Sequence, residues 1–304
     1  MPVPASVRAL CDSLLDYAGL FPPAGLSMVL AVTNYARYIR TPESWMLARF
    51  IAPAARLAEF EAAASAFWTE HGTRWHISAL VGEDAEADIF SIRAFNAKHA
   101  ATNRAQVDSI EYKLNAPDDA AYIAALVPAG VTAYLEVPNR VRCEPFLDAI
   151  ITAGALSDGR IRAKIRTGGV KAEMIPSADE VLQFIASCAA RKLPFKATAG
   201  LHHATRGAFP LTYEPAAACG NMHGFLNLFL AAGALYFGVE PAIAASIFDQ
   251  PDANAFQFTD AGVSWKGFSL SAAQIADFRA NFATAFGSCS FEEPVADLHA
   301  LKFL

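Results

Sequence analysis

The stretch that decides the fold, residues 161–203, reads IRAKIRTGGVKAEMIPSADEVLQFIASCAARKLPFKATAGLHH. It contains a β-type run at 161–167, an amphipathic helical segment, and a second β-type run at 194–201. Ser177 and Glu180 have the spacing of a capping box, which predicts where the helix begins. A strand, a helix and another strand in this order form the βα unit of a parallel sheet.

The same unit repeats on the N-terminal side of this stretch. Further β-type runs occur at 45–51, 74–81, 107–114 and 131–137. The starts of the runs are about 30 residues apart, which is the length of one βα unit. Six such units predict a parallel sheet covered by helices, either an open doubly wound sheet or a closed barrel. Of the two α/β folds, we predict the (β/α)8 TIM-type barrel.

The two ends of the chain depart from this regular pattern. Residues 1–44 are predicted to form an N-terminal layer of extra helices, and residues 45–304 are predicted to form the barrel. Because no linker-like segment divides the chain, both parts are expected to belong to a single domain, 1–304. Near the C-terminus, the runs 255–259 and 263–268 are separated by only three residues. That spacing is typical of a hairpin, so we expect the barrel to be irregular in its last third.

Composition limits the classes of partner. The 304 residues are 54% hydrophobic and 18% charged, which is sufficient for a large core. The net charge of -6 and the absence of a lysine or arginine run exclude a nucleic-acid surface and favour small-molecule partners. No apolar stretch reaches the length of a membrane span, and no signal peptide is recognised, so a cytoplasmic protein is expected. A homo-oligomer remains open.

Alternation along the strands places the charged residues on one face. In a barrel, alternate residues point to the axis, and the apolar residues of each run occupy the other positions. The axis would then hold six cations and two carboxylates: Arg49, Glu111, Lys113, Glu136, Arg162, Lys164, Arg166 and Lys196. The excess of cations predicts a site for an anionic substrate near the carboxyl ends of the strands. The alternative is a buried ion network in the barrel floor.

Lysines carry the most specific signal. Only eight residues are lysine, yet Lys113, Lys164 and Lys196 lie in predicted strands, where lysine is disfavoured. An amine that is desolvated and crowded by other cations has a lowered pKa, as a Schiff-base nucleophile requires. Gly168 and Gly169 would let backbone N–H groups approach an anionic group of the substrate.

Two short motifs resemble a known enzyme family. The sequence KATAG at 196–200 is similar to the Lys-x-Ser/Thr-x-Gly element of class I aldolases of the deoxyribose-phosphate-aldolase type, and KIRTGG at 164–169 resembles their second lysine with its glycine pair. In this chain, the second lysine is on the preceding strand. The resemblance implies that Lys196 forms the imine and that Lys164 adjusts its pKa.

A wider resemblance has no activity attached to it. The segments DYAGLFPPA at 16–24, KIRTGG, FKATAGLHH and SCSFEEPVADL at 288–298 are similar to motifs of a bacterial family of uncharacterised proteins. Within the first segment, Asp16 and Tyr17 suggest either a rigid lid or an ordinary loop. Cys289, in the last segment, is predicted to be a core residue.

Histidines offer a different chemistry. His202 follows the sixth predicted strand, His223 begins a later helix, and Glu136 ends the fourth predicted strand. These three residue types are ligands of divalent metals, so a metal-dependent lyase, isomerase or hydrolase is the first alternative. Without a metal, His202 is a candidate general acid or base, and Glu136 either acts as a base or pairs with Lys164.

The predicted function follows from these residues. We expect an enzyme that acts on a small anionic carbonyl compound, most concretely a Schiff-base lyase without a cofactor. Its catalytic residues are predicted to be Lys196, Lys164, Glu136 and His202. Substrate binding is predicted for Arg166, Arg49, Lys113, Gly168, Gly169 and His223. A noncatalytic binder of an anionic metabolite is the second alternative.

Overall fold

The computed structural model describes residues 2–68, 72–155, 157 and 159–304. A closed barrel of parallel strands forms its centre, which confirms the predicted fold class. The barrel strands are β1 (Leu15–Tyr17), β2 (Leu47–Pro53), β3 (Trp75–Leu80), β4 (Ala105–Lys113), β5 (Thr132–Val137), β6 (Ile161–Arg166), β7 (Phe195–Thr198) and β13 (Ala283–Ser288). Shorter strands precede the last of these: β8 (Gly207–Pro210), β9 (Cys219–Met222), β10 (Gln257–Phe258), β11 (Gly262–Trp265) and β12 (Phe268–Ser271).

Helices alternate with the barrel strands, as the repeated unit requires. They are α1 (Ala5–Cys11), α2 (Met28–Tyr38), α3 (Leu57–Ala64), α4 (Ala85–His99), α5 (Asp119–Leu126), α6 (Glu144–Ala155), α7 (Ala178–Ala190), α8 (Phe225–Tyr236), α9 (Pro241–Phe248), α10 (Ala272–Asn281) and α11 (Glu292–Ala300). The predicted capping box begins α7, where the Glu180 N–H donates to Ser177 Oγ at 3.2 Å and the Ser177 N–H donates to Glu180 at 2.7 Å. Of the helices described, none is both long and apolar enough to cross a membrane.

The predicted alternation along the strands is confirmed for Glu111, Glu136, Lys164 and Lys196, which are buried, but not for Lys113, which is exposed. The apolar residues Ile110, Leu135 and Ala163 are fully buried in the hydrophobic core. Glu111 and Lys196 are also buried, but at the alternate positions of their strands, which face the barrel interior. Burial of the apolar face against the helices therefore forces the charged face of each strand into the barrel interior.

The N-terminal segment corrects the prediction. Residues 1–44 contain α1 and α2 but are not a helical layer alone, because β1 is a strand of the barrel. It pairs with β13, with Asp16 opposite Gly287, and with β2 on its other side. A three-residue strand is too short to show a period, and this is the physical reason why the sequence did not reveal it.

The last third is irregular, as predicted. Strands β10 and β11 form the expected antiparallel hairpin, which β12 extends, but this small sheet lies outside the barrel. Strands β8 and β9 form a second antiparallel pair. Closure comes instead from β13, which pairs in parallel with β7 and β1.

Candidate functional site

The innermost charged group is the amine of Lys196, whose side chain has no exposed surface. Its Nζ donates to Asp16 and, at 2.7 Å, to Glu111 Oε1. Ser78 Oγ also donates to Glu111 Oε1, at 2.9 Å. Strands from different parts of the barrel thus supply the two carboxylate partners of one buried ammonium.

A second amine lies beside the first, joined to it through the same carboxylate. Lys164 Nζ is 2.6 Å from Glu111 Oε2 and 2.7 Å from Glu136 Oε2. Arg166 Nε is in turn 3.3 Å from Glu136 Oε1. Positive and negative groups therefore alternate from Asp16 to Arg166 in one continuous ion network, which is the arrangement that the sequence offered as the alternative to a cation-rich site.

The pKa values follow from this alternation. Burial lowers the pKa of Lys196, but the neighbouring Asp16 and Glu111 outweigh it, and the net shift is upward. Burial raises the pKa of Glu111, but the ammonium groups of Lys164 and Lys196 outweigh the effect of burial, and the net shift of the pKa is strongly downward. The pKa of Glu136 is lowered by Lys164 and Arg166 in spite of its burial. The expectation of a lowered pKa for Lys196 is therefore wrong, because its neighbours are carboxylates rather than cations.

The predicted excess of cations is also corrected. Two acids that were not assigned to the barrel axis, Asp16 and Asp108, contribute negative charge to it. Asp108 Oδ1 is 2.6 Å from Arg49 Nε. Arg49 Nη1 lies 3.9 Å from Asp16 Oδ1 as well. Lys113, which was predicted to bind substrate, is exposed at the end of β4. Arg162 donates to the Tyr134 hydroxyl at 3.3 Å.

A cavity of about 230 Å³ lies over this network at the carboxyl ends of the strands. Lys164, Arg166 and Glu111 border it, together with Thr198 at the end of β7. The Arg166 side chain is 41% exposed, whereas that of Lys164 is 5% exposed. Lys196 lies below this layer without exposed surface. This end of a parallel barrel is where the active sites of such folds are built.

The N-terminal motif DYAGLFPPA serves both the network and the cavity. Asp16 is 1% exposed and pairs with Lys196, whereas Phe21, Pro22 and Pro23 border the cavity. The signal that could have revealed Asp16 is a single acid between apolar residues, in the sequence LLDY. An isolated carboxylate in such a run is buried only when it has a partner.

The predicted glycine pair has two different environments. Gly169 borders the cavity. A Cβ on Gly168 would lie 2.6 Å from Gly200 Cα, and one on Gly200 would lie 2.8 Å from Gly168 Cα. The turns after β6 and β7 therefore touch through their backbones, and this contact positions the two lysine-bearing strands relative to each other.

Replacing Gly200 tests this contact. Gly200 has a φ of +74° and no room for a Cβ, so Gly200→Ala is expected to lower the free energy of unfolding by about 3 kcal/mol. Gly238 is a matched control, with a φ of +75° and no described atom within 4 Å of its Cβ position. Gly238→Ala should cost about 1 kcal/mol. Equal losses in denaturant titrations would contradict the backbone contact.

His202 borders the cavity and is oriented by a residue that the sequence did not single out. Its Nδ1 lies 2.7 Å from Glu293 Oε2, and its Nε2 lies 3.9 Å from Cys289 Sγ. Burial lowers the pKa of His202, but hydrogen bonds to Cys289 and Glu293 outweigh it and raise the pKa to about 9. Glu293 lies 91 residues further along the chain, so no local pattern could have revealed the pair.

The alternative metal site is not supported by the geometry. His223 Nε2 lies 2.9 Å from the Pro176 carbonyl oxygen, and burial lowers the pKa of His223. Glu136 contacts Lys164 and Arg166, and His202 contacts Glu293. In the described ranges, no group of three or more histidine, cysteine, aspartate and glutamate side chains is placed to hold a metal ion. The set of His202, His223 and Glu136 is therefore corrected to three separate contacts.

Comparison with known proteins adds little to this picture. No protein-family model matches the chain, and no curated protein matches it at a significant level. A solved structure that matches is the Bacillus cereus spore cortex-lytic enzyme SleL, at 12% identity and a TM-score of 0.38, over 96% of this chain and 74% of that chain. A likeness of this size carries no functional inference.

Proposed function

We propose that the protein is an enzyme that acts on a small anionic carbonyl compound through a Schiff base on Lys164. The observation that carries the proposal is the position of the two amines. Lys164 borders the cavity, whereas Lys196 is enclosed between Asp16 and Glu111. The proposal therefore exchanges the roles that the sequence motifs suggested for the two lysines.

The carboxylates beside Lys164 suit the proton transfers of imine formation. Attack on a carbonyl carbon requires a neutral amine, and Glu136 Oε2, at 2.7 Å, is a direct acceptor of the Lys164 proton. After addition, the carbonyl oxygen leaves as water with the proton that Glu136 holds and a second proton from the nitrogen, and the protonated imine carries the same single positive charge as the ammonium did. Glu111 and Glu136 therefore stabilise the iminium as they stabilise the resting ammonium.

The remaining groups have supporting roles in this scheme. Glu136 takes the proton of a substrate hydroxyl group, and the C–C bond to the carbon that carries this hydroxyl breaks. The electron pair of that bond moves to the iminium to give an enamine, and the other fragment leaves as a carbonyl compound. Glu136 returns the proton to the enamine carbon, and water releases the product from Lys164. Arg166 borders the cavity and is partly exposed, so its guanidinium can bind the acid group of the substrate. Lys196 keeps Glu111 ionised from below and acts as a positioning residue.

Borohydride trapping tests the proposal. Reduction in the presence of a panel of oxo acids and aldehydes is expected to leave a stable mass adduct on Lys164. Lys164→Arg should abolish the adduct while it preserves the positive charge between Glu111 and Glu136, because a guanidinium does not form the imine. Lys113→Met is the matched control, since Lys113 is a strand lysine that is exposed, and its loss should leave trapping unchanged.

Three other results would contradict the proposal. An adduct on Lys196 would return the imine to the residue that the motifs suggested. The absence of any adduct across the panel would reject Schiff-base chemistry. Tight retention of an oxo acid by both the wild type and Lys164→Arg, without turnover, would indicate a noncatalytic binder.

A further inference from the structure

Cys289, His202 and Glu293 come from three separate parts of the chain and meet at the cavity wall. Cys289 directly follows β13, His202 lies in the turn after β7, and Glu293 lies in the first turn of α11. We propose that Cys289 is a second nucleophile of the cavity, activated by His202 and oriented through Glu293, which adds to the carbonyl carbon of a small aldehyde or ketone. The proposal goes beyond the imine on Lys164 and does not require it.

The three side chains have the order of a nucleophile, a base and a residue that orients the base. Cys289 Sγ is 3.9 Å from His202 Nε2, and His202 Nδ1 is 2.7 Å from Glu293 Oε2. The short contact on the Nδ1 side directs the other nitrogen towards the sulfur. A contact of 3.9 Å between sulfur and nitrogen is loose, as is common in catalytic hydrogen bonds before the substrate binds.

The position of Cys289 separates it from the other thiols. Cys289 and His202 both border the cavity, and they are 7% and 6% exposed. Cys11, Cys143 and Cys188 are buried, and burial raises the pKa of each. Cys219 is exposed on β9. Cys289 therefore lies beside a base, a carboxylate that orients this base, and a cavity with space for a ligand.

The proposed step is a balanced addition. The proton that the Cys289 thiol and His202 Nε2 share resides on the imidazole when the thiolate forms a bond with the carbonyl carbon. The π bond of the carbonyl breaks, its electron pair moves to oxygen, and the imidazolium returns the proton to that oxygen. The product is a hemithioacetal or hemithioketal, with no leaving group and no other reactant. Arg166, which borders the same cavity, suits a compound that also carries an acid group.

Other titratable groups face this cluster. The Tyr213 hydroxyl donates to Glu293 Oε2 at 3.0 Å and lies 3.7 Å from Cys289 Sγ, and burial raises its pKa. On the far side, His203 pairs with Asp297 at 3.2 Å. Burial also raises the pKa of Tyr17, near the sulfur. Because burial raises both tyrosine pKa values above the ordinary value of 10, neither tyrosine titrates between pH 6 and 8.

Alkylation by iodoacetamide, followed by peptide mass mapping, tests the pair on the full chain. An ordinary thiol reacts about 100-fold more slowly at pH 6.5 than at pH 9.5, because its thiolate fraction falls. Cys219, which is exposed on β9, serves as the internal reference. The alkylation rate of Cys289 is expected to fall less than about 10-fold over the same interval, since His202 holds the thiol proton. In His202→Ala, the fall in the alkylation rate of Cys289 should approach that of Cys219.

Glu293→Gln keeps the histidine but weakens its orientation, so an intermediate pH profile is expected for Cys289. Cys188 reports folding in every variant, because it should remain unmodified while α7 is intact. A Cys289 profile equal to that of Cys219 in the wild type, or one unchanged by His202→Ala with Cys188 protected, would overturn the proposal.

The carbonyl class is tested with glyoxylate in the Lys164→Arg variant, which cannot form the imine. Glyoxylate should slow alkylation of Cys289 at least about 5-fold more than glycolate does, because glycolate has the same charge but no carbonyl carbon. Equal slowing by the two acids, or none, would reject addition to a carbonyl. Borohydride trapping on Lys164 is unaffected by either result, so the failure of one proposal is distinguishable from the failure of the other.

Discussion

Glu111→Gln is expected to lower the free energy of unfolding by about 3 to 5 kcal/mol at neutral pH. Glu111 is the one carboxylate of the described network that both lysine ammonium groups share. A glutamine can offer its amide oxygen to only one of them, and its N–H donors then face the other. Each buried ammonium would retain a single carboxylate partner, which leaves part of its charge uncompensated away from water.

Denaturant titration measures this loss, and its pH dependence provides a second check. Because the folded pKa of Glu111 is lowered, its contribution to stability is present above about pH 4.5, its ordinary pKa, and is lost as the pH falls through the folded value. The difference in the free energy of unfolding between the wild type and Glu111→Gln should therefore become smaller at acidic pH. Glu59→Gln is the control, because Glu59 pairs with Arg56 at the surface and should change little. A constant gap down to low pH would contradict the ion network.

Arg279→Met is expected to destabilise the protein by about 3 to 5 kcal/mol through a different part of the barrel. The Arg279 side chain is buried on α10, and burial lowers its pKa to about 10. It donates to four backbone carbonyl oxygens: those of Leu10 at 2.8 Å, Asp12 at 3.1 Å, Ala283 at 2.5 Å and Thr284 at 2.6 Å. The first two lie at the C-terminal end of α1, before β1, and the other two lie in β13. One guanidinium therefore joins the segment that leads into β1 to the strand that pairs with β1.

The expected loss in Arg279→Met has a physical origin in these carbonyl groups, which would lack a donor in the protein interior. Arg279→Lys should recover part of the stability, because an ammonium keeps the charge but cannot reach all four oxygens. Arg37→Met is the surface control, since Arg37 and its partner Glu292 are 58% and 60% exposed. Similar unfolding midpoints for Arg279→Met and Arg37→Met would reject the proposed role of Arg279 in closure.

Local pattern was sufficient for the regular part of the fold. The period of the strands in residues 45–201 identified the βα units, and alternation put Glu111, Glu136, Lys164 and Lys196 on the inner face. Both results follow from the same cause. A strand that buries its apolar residues against helices must direct its other residues to the axis, and that choice is made within a few consecutive residues.

The pairing of those residues was decided only by the tertiary structure. Strand β1 has no period of its own and is held by β13 and β2, so neither barrel closure nor the pairing of Asp16 with Lys196 leaves a local signal. The Cys289–His202 contact spans 87 positions. Sequence alone determined that Glu111, Glu136, Lys164 and Lys196 of the regular strands enter the barrel. The fold decided which charges neutralise each other and which amine and thiol reach the cavity, because only closure of the barrel brings distant strand ends within bonding distance.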